Sequence, residues 1–296
     1  TITTQKKDAA ASLLTITNNY TYDNKERLKT HTQQLNGGTA EVIVENVYND
    51  LGVVITKKVG GTTDTPLQKV DYKYNIRGWL TDINNADYYH TDTENDLFQL
   101  KINYTQGVAN VPPLFNGNIS SIFSRTKTDN YFRGYAYKYD HLNRLIEAKD
   151  LYYQFGGWSM KVKSTDFYDE ALTYDKNGNI LSVYRTTKID NQKVAIDDLT
   201  YTYSANQLRT VTDATNSPNG FNDGNKTGVD YTYDTFGNLK TDKNKGITDI
   251  KYNHLNQPVE ITFSTGKISY TYDATGTKVK KVIQPNSGMA QTTDYL

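Results

Sequence analysis

The sequence predicts an all-β protein built of serial antiparallel β-hairpins. Three observations carry that expectation. A short unit recurs along the chain, most plainly at residues 172–181 (Leu-Thr-Tyr-Asp-Lys-Asn-Gly-Asn-Ile-Leu) and residues 231–239 (Tyr-Thr-Tyr-Asp-Thr-Phe-Gly-Asn-Leu). Tyr is unusually abundant, 25 of 296 residues, and it suits a pleated surface that is apolar along the ring and wet at the hydroxyl. No segment carries the 3.6-residue apolar period of an amphipathic helix.

The second Tyr of each unit serves as its anchor: Tyr22, Tyr48, Tyr74, Tyr139, Tyr174, Tyr203, Tyr233, Tyr252 and Tyr272. Neighbouring anchors lie 26, 26, 65, 35, 29, 30, 19 and 20 residues apart, a spacing that marks a repeat architecture. The gap of 65 is expected to hide a degenerate unit around residues 101–104 (Lys-Ile-Asn-Tyr). Six anchors have a Tyr two positions earlier, Tyr20, Tyr72, Tyr137, Tyr201, Tyr231 and Tyr270, so both rings share one strand face. Cross-strand Tyr–Tyr packing is the expected tie between hairpins.

Each unit turns in the same way. The anchor is followed by Asp, Asn or Ser (Asp23, Asp140, Asp175, Asp234 and Asp273 among them), residues that bond their own backbone at turns. Four places past the anchor stands Gly52, Gly78, Gly178, Gly237 or Gly276, or else Asn143 or Asn256, which supplies the positive φ of a hairpin connection. Six places past it, Leu28, Val54, Leu80, Leu145, Ile180, Leu239 or Pro258 restarts the alternation. The Tyr203 copy is one residue short, and the last copy puts Lys278 at that place with Val279 next, predicting a shifted or bulged strand.

The whole of 1–296 reads as one repeat segment, with looser units at 81–130 and a loop insertion rich in Asp, Asn, Ser, Pro and Gly at 213–228. A further hairpin is expected over 151–163, turning at Gly156-Gly157-Trp158. The 33 basic and 33 acidic residues cancel, so no global field draws in nucleic acid or an anionic membrane. The chain has no Cys and hence neither disulfides nor thiolate metal sites. No apolar run approaches the length of a membrane-spanning helix. The first residue is Thr, and the last few resemble the start of another strand, so the expectation is a piece of a longer polypeptide.

The units resemble the YD repeats of the Rhs family, whose pattern is Tyr-x-Tyr-Asp-x-x-Gly-Asn/Arg-Leu. Residues 231–239 match it in full. Residues 172–180 depart only at Leu172 and Ile180, and residues 137–145 carry Asn143 where the pattern has Gly. The likeness runs from about residue 20 to 283, and stretches such as Tyr74-Asn-Ile-Arg-Gly-Trp-Leu80 and Phe115-Asn-Gly-Asn-Ile-Ser120 look like those of Bacteroidetes members. The resemblance implies a spiralling sheet strip that forms part of a hollow β-shell. Such shells enclose a C-terminal toxin in the C components of Tc toxin complexes and serve adhesion in teneurins. It further implies a secreted or cell-surface bacterial protein whose partners are the rest of its own polypeptide and a toxin cargo. The family's self-cleaving core segment is absent, so no catalytic residue carries over.

Candidate chemistry is sparse. The five Asp residues after the anchors recur at one turn position, which is simpler to read as capping than as the paired carboxylates, about 5–10 Å apart, of a glycosidase. Residues 175–179 resemble the start of a calcium loop, but the place of its bidentate Glu holds Thr186. The acidic run 92–96 reads as a solvated loop. His31, His90, His141 and His254 show no metal-ligand spacing. Neither a phosphate loop nor a nucleophile elbow appears. No cofactor, metal or catalytic residue is therefore expected. Trp79 and Trp158, each beside glycine, are expected to cover bends; as sugar platforms they would support an alternative adhesion or carbohydrate-binding role.

Overall fold

The computed structural model describes residues 1–7, 13–62, 64–86, 95–108, 111–128, 131–156, 159–164 and 167–295, with no helix among them. The chain resolves into two compact units, residues 1–138 with 149–165 and residues 139–148 with 166–296. The strands of the first half are β1 (Ile2–Lys7), β2 (Leu13–Tyr22), β3 (Leu28–Leu35), β4 (Glu41–Tyr48), β5 (Val54–Gly61), β6 (Pro66–Tyr74), β7 (Leu80–Ile83), β8 (Phe98–Asn103), β9 (Ser121–Thr126), β10 (Arg133–Tyr139), β11 (Leu145–Gly156) and β12 (Ser159–Ser164). The rest are β13 (Glu170–Tyr174), β14 (Ile180–Ile189), β15 (Gln192–Ser204), β16 (Gln207–Asp213), β17 (Tyr231–Tyr233), β18 (Leu239–Asp242), β19 (Ile247–Tyr252), β20 (Pro258–Phe263), β21 (Gly266–Tyr272), β22 (Lys278–Pro285) and β23 (Gln291–Asp294).

Within β1 to β16 and within β17 to β23 each strand pairs antiparallel with its neighbour in sequence order, except that β13 pairs with β11; β16 and β17 belong to different sheets. The single branch is β12, which pairs back on the outer half of β11, Leu151 opposite Ser164. Gly156 faces Ser159 at its tip, and Trp158 lies outside the described residues. This is the all-β hairpin series the sequence predicts.

Bulges recur where the unit pattern places the anchors. The register slips between Thr21 and Tyr22, Val47 and Tyr48, Lys73 and Tyr74, Thr173 and Tyr174, Thr202 and Tyr203, Thr232 and Tyr233, Lys251 and Tyr252, and Thr271 and Tyr272. One extra residue on the returning strand bends each hairpin at the same point. In the last copy Tyr272 faces Lys278, so the bulge expected there is the one all copies share.

In the first unit Phe123, Phe132, Ala86, Val111, Ala136 and Leu151 form a small apolar core. Phe123 lies on Gly134, where any Cβ would come within 2.3 Å of the ring. Across the described residues, buried polar side chains (15) outnumber buried hydrophobic ones (11), so apolar burial alone cannot hold these sheets and backbone-directed polar bonds must carry a large share.

In the second unit β17 to β23 form a seven-stranded sheet with open edges. Its two faces differ. Cross-strand partners place Ile250, Ile261, Ile268 and Ile283 in one row over four strands. On the opposite face Glu260 takes ion pairs from Lys251 (2.8 Å) and Lys267 (2.9 Å), which lower its pKa to about 2.

Candidate functional site

The most ordered polar constellation is the row of hairpin turns with the anchor tyrosines beside them. It begins with the turn carboxylates. In the Asp175 turn, the backbone N–H of Asp175 donates to the Asn179 carbonyl at 2.9 Å, and the Gly178 N–H donates back to the Asp175 carbonyl. Oδ1 of Asp175 accepts the N–H groups of Asn177 and Asn179, both at 2.8 Å, while Oδ2 accepts the Asn179 amide. Asp234 repeats this arrangement with Phe236 and Asn238. Asp23 and Asp140 use Arg27 and Arg144 in the same place, each with Nε 2.7 Å from Oδ2. In Asp273, Oδ1 accepts from Thr275 and Thr277. Asn75 and Asn253 accept the same pair of N–H groups without a charge.

Such bonding stabilises the ionised carboxylate. The Arg27 side chain holds Asp23 down to about 2. The Arg144 N–H and guanidinium lower Asp140, and the Asn179 amide lowers Asp175. These carboxylates are spent on turn geometry. The oxygens a calcium ion would need at residues 175–179 face N–H donors instead.

The fourth position past the anchor is left-handed whatever residue fills it: Gly78, Gly178, Gly237 and Gly276 have φ between +77° and +92°, and Glu26, Asn143 and Asn256 have φ of +61°, +63° and +56°. The shortened Tyr203 copy turns through Ala205, at φ +52°.

The anchors link successive hairpins. The Tyr48 hydroxyl donates to the Leu28 carbonyl at 2.8 Å, Tyr74 to Val54 at 3.1 Å, and Tyr104 to Leu80 at 3.0 Å. In the second unit Tyr174 donates to Leu145 at 2.7 Å, Tyr203 to Ile180 at 2.9 Å, Tyr252 to Leu239 at 2.7 Å and Tyr272 to Pro258 at 2.9 Å. Tyr233 reaches the backbone of Leu208. The acceptor is in each case the residue that restarts the preceding hairpin. Burial raises the pKa of Tyr74, Tyr104, Tyr203, Tyr233 and Tyr252, which keeps them protonated as donors. Tyr104 makes this bond like any anchor, as expected of the degenerate unit.

Turns also grip their successors. Arg144 Nη1 donates to the Asp175 carbonyl at 2.8 Å, and its guanidinium lies 4.7 Å from the Tyr174 ring centroid. Arg27 lies 4.3 Å from the Tyr48 ring. Asn179 reaches Asn206, Asn238 reaches Asn256 (both 3.0 Å), and Gln257 donates to the Gly276 carbonyl at 2.8 Å. On the other sheet face, hydroxyls pair across the strands: Thr21 with Thr30, Thr173 with Ser182, Thr202 with Thr210 and Thr232 with Thr241, at 2.5–2.7 Å.

The remaining expected positions have local partners. Tyr20 stacks on His31, 4.5 Å between centroids. Tyr137 stacks on Tyr135 within its own strand. Tyr270 lies under Lys278 Nζ at 4.1 Å. Tyr231 faces Asp242 across its ladder, and Tyr72 faces Ile83 across its own. Tyr22 is exposed and opens the series, whereas Tyr139 closes β10 ahead of the Asp140 turn. The ties seen between successive anchors are hydroxyl–carbonyl bonds and arginine–ring contacts. Sequence reasoning missed those bonds, the Arg and Asn grips and the threonine pairs. The repeated Arg or Asn five places past the anchor was the one available signal.

Trp79 lies on Gly117, where a Cβ would meet its ring at 3.2 Å, and 5.0 Å from the Tyr104 ring. His141 and His254 sit on exposed turns. His90 and residues 92–94 lie outside the described residues. Among the described residues no group of three His, Cys, Asp or Glu side chains could hold a metal, and no helix is long and apolar enough to cross a membrane.

These repeated turns and hydroxyl bonds define a modular all-β hairpin fold, and known proteins share that fold. The Photorhabdus luminescens Tc holotoxin pore with a mutated TccC3 is 18% identical with TM-score 0.63, covering 99% of this chain and 14% of that one. A TcdB2–TccC3–Cdc42 structure is 16% identical with TM-score 0.58 over 95% of this chain, and TcdB2–TccC3 is 15% identical with TM-score 0.58 over 96%. This chain spans 14% of the length of each. No family profile and no curated protein matches the sequence. The fold is Rhs-like, as in these Tc toxin structures.

Proposed function

We propose that the chain is a structural wall segment of an Rhs-type shell, and that its work is to enclose or present a cargo, a toxin first of all. The observation that carries this reading is the unbroken use of the recurring polar groups in self-assembly. Turn carboxylates are saturated by N–H donors of their own hairpin, and anchor hydroxyls by the preceding hairpin. A residue set committed to joining hairpins serves to build surface, in keeping with a structural, non-enzymatic role. The partners are the rest of a longer polypeptide and the cargo it surrounds, and the setting is secreted or cell-surface. All of 1–296 acts as one repeat segment, its tyrosines, Asp and Gly positions being structural.

The test is to read the parent gene beyond residue 296, express the product with any following domain and challenge it with protease. A following domain protected in the assembled product but cleaved when expressed alone is expected. Absence of such a domain, or equal cleavage in both settings, overturns the container reading. The alternative, an adhesion or carbohydrate-binding module, would rest on Trp79, whose half-buried ring packs on Gly117 and Tyr104.

A further inference from the structure

The insertion between β16 and β17 holds chemistry that a wall segment does not require. Lys226 Nζ touches the Asn216 carboxamide at Oδ1, and it lies 3.3 Å from Asp223 Oδ2. The Asp223 side chain is 4% exposed. Its Oδ2 also accepts the Asp213 N–H at 3.1 Å, while its Oδ1 is buried with no donor against it. Asn216 is held in a left-handed conformation, φ +50°. An amine, a carboxamide and a buried carboxylate therefore meet within one loop of a chain that has no Cys to staple it.

We propose that Lys226 and Asn216 join in an intramolecular isopeptide bond with Asp223 as the catalytic acid–base. Asp223 takes a proton from the Lys226 ammonium, and the freed amine attacks Cγ of Asn216. The new C–N bond forms as the original carboxamide C–N bond breaks. Asp223 gives its proton to the departing nitrogen, which takes a second proton from the attacking nitrogen and leaves as ammonium, and Asp223 returns to the carboxylate. The lysine ammonium and primary amide become a secondary amide and a free ammonium ion, with no change of oxidation state and no other reactant. Holding the nucleophile against its carbonyl in the folded chain replaces an encounter in solution and so lowers the barrier to the exchange. The Asp213 N–H fixes the base and the left-handed Asn216 fixes the electrophile.

The bond would close residues 216–226 into a covalent ring, constraining the unfolded chain as a disulfide would. That ring lies where the ladder is thinnest. Between β16 and β17 the recorded main-chain links are the Asp230 N–H to the Arg209 carbonyl, the Val211 N–H to the Asp230 carboxylate and the Tyr233 contact with Leu208.

Intact-mass spectrometry of the whole purified chain tests the proposal. The expected mass is lower than calculated by one ammonia. Trypsin should then leave one peptide spanning residues 210–240, because cleavage after Lys226 is blocked. Lys226→Arg keeps the charge beside Asp223 and should restore the calculated mass and an unlinked loop. Asp223→Asn, checked for unchanged circular dichroism, should lower the cross-linked fraction by at least tenfold. A wild-type chain of full calculated mass, cut freely after Lys226, overturns the proposal. So does an ammonia loss that survives in Lys226→Arg, which would mark a cyclic imide at an Asn-Gly step instead.

Discussion

Tyr252→Phe removes one rung of the hydroxyl ladder and little else. The ring, its place on the isoleucine face and the Asn253 turn remain; only the donor 2.7 Å from the Leu239 carbonyl is lost. A hydrogen bond of this kind contributes a net ~0.5–1.5 kcal/mol. Tyr252 is half-buried, so water can partly replace the lost donor at the carbonyl. A loss of about 1 kcal/mol is expected, which lowers Tm by ~2–4 °C for a domain of this size. Urea titrations followed by far-UV circular dichroism measure it, with an unchanged slope showing that the same surface unfolds. Tyr22→Phe is the control, since Tyr22 is exposed and, among the described residues, has no preceding hairpin carbonyl to bond. If Tyr252→Phe costs no more than Tyr22→Phe, the hydroxyl bonds do not hold the units together.

Three further outcomes are expected. Asp23 has a folded pKa of about 2 against an ordinary 3.8; a lowered folded value means the stabilisation is full above the unfolded pKa and is lost as pH falls through the folded one. Urea midpoints should therefore drop between about pH 4 and pH 2, and Asp23→Asn should flatten part of that drop. Gly134→Ala drives a Cβ to 2.3 Å from the Phe123 ring and 2.9 Å from the Ile122 carbonyl, and should cost about 1–3 kcal/mol in a thermal melt. Gly178→Ala meets no atom within 4 Å but must hold φ +92°, so its cost is the backbone's alone, about 1–2 kcal/mol. Gly178→Asn should cost less, as Asn143 and Asn256 already occupy that conformation.

The sequence revealed what local chemistry controls. Asp175 and Gly178 announce a turn because each acts within five residues, and Tyr-x-Tyr announces a strand face because the pleat has period two. The Tyr174–Leu145 bond spans 29 residues and ends on a main-chain carbonyl, so no side-chain type at position 145 could signal it. Tyr104 was legible only as a weak copy, yet it bonds Leu80 as the strong copies bond their predecessors. The insertion at 213–228 was visible as composition, but the buried carboxylate it meets on β15 was not: Asp197 is fully buried, with two Arg185 nitrogens at 2.5 Å and the Phe221 N–H at 2.6 Å. Arg185, Asp197 and Phe221 stand on three separated stretches that only the folded chain brings together.

The hydroxyl ladder has a consequence for how such a chain can change length. Each anchor asks its predecessor only for a peptide oxygen, which Leu28, Ile180 and Pro258 provide equally well. A hairpin deleted whole, or copied in between two others of the ladder, leaves the bonded phenols and their acceptors matched. The joint is generic although the part is specific. A strip assembled on that rule can be lengthened or shortened by recombination between its own copies without redesigning any joint.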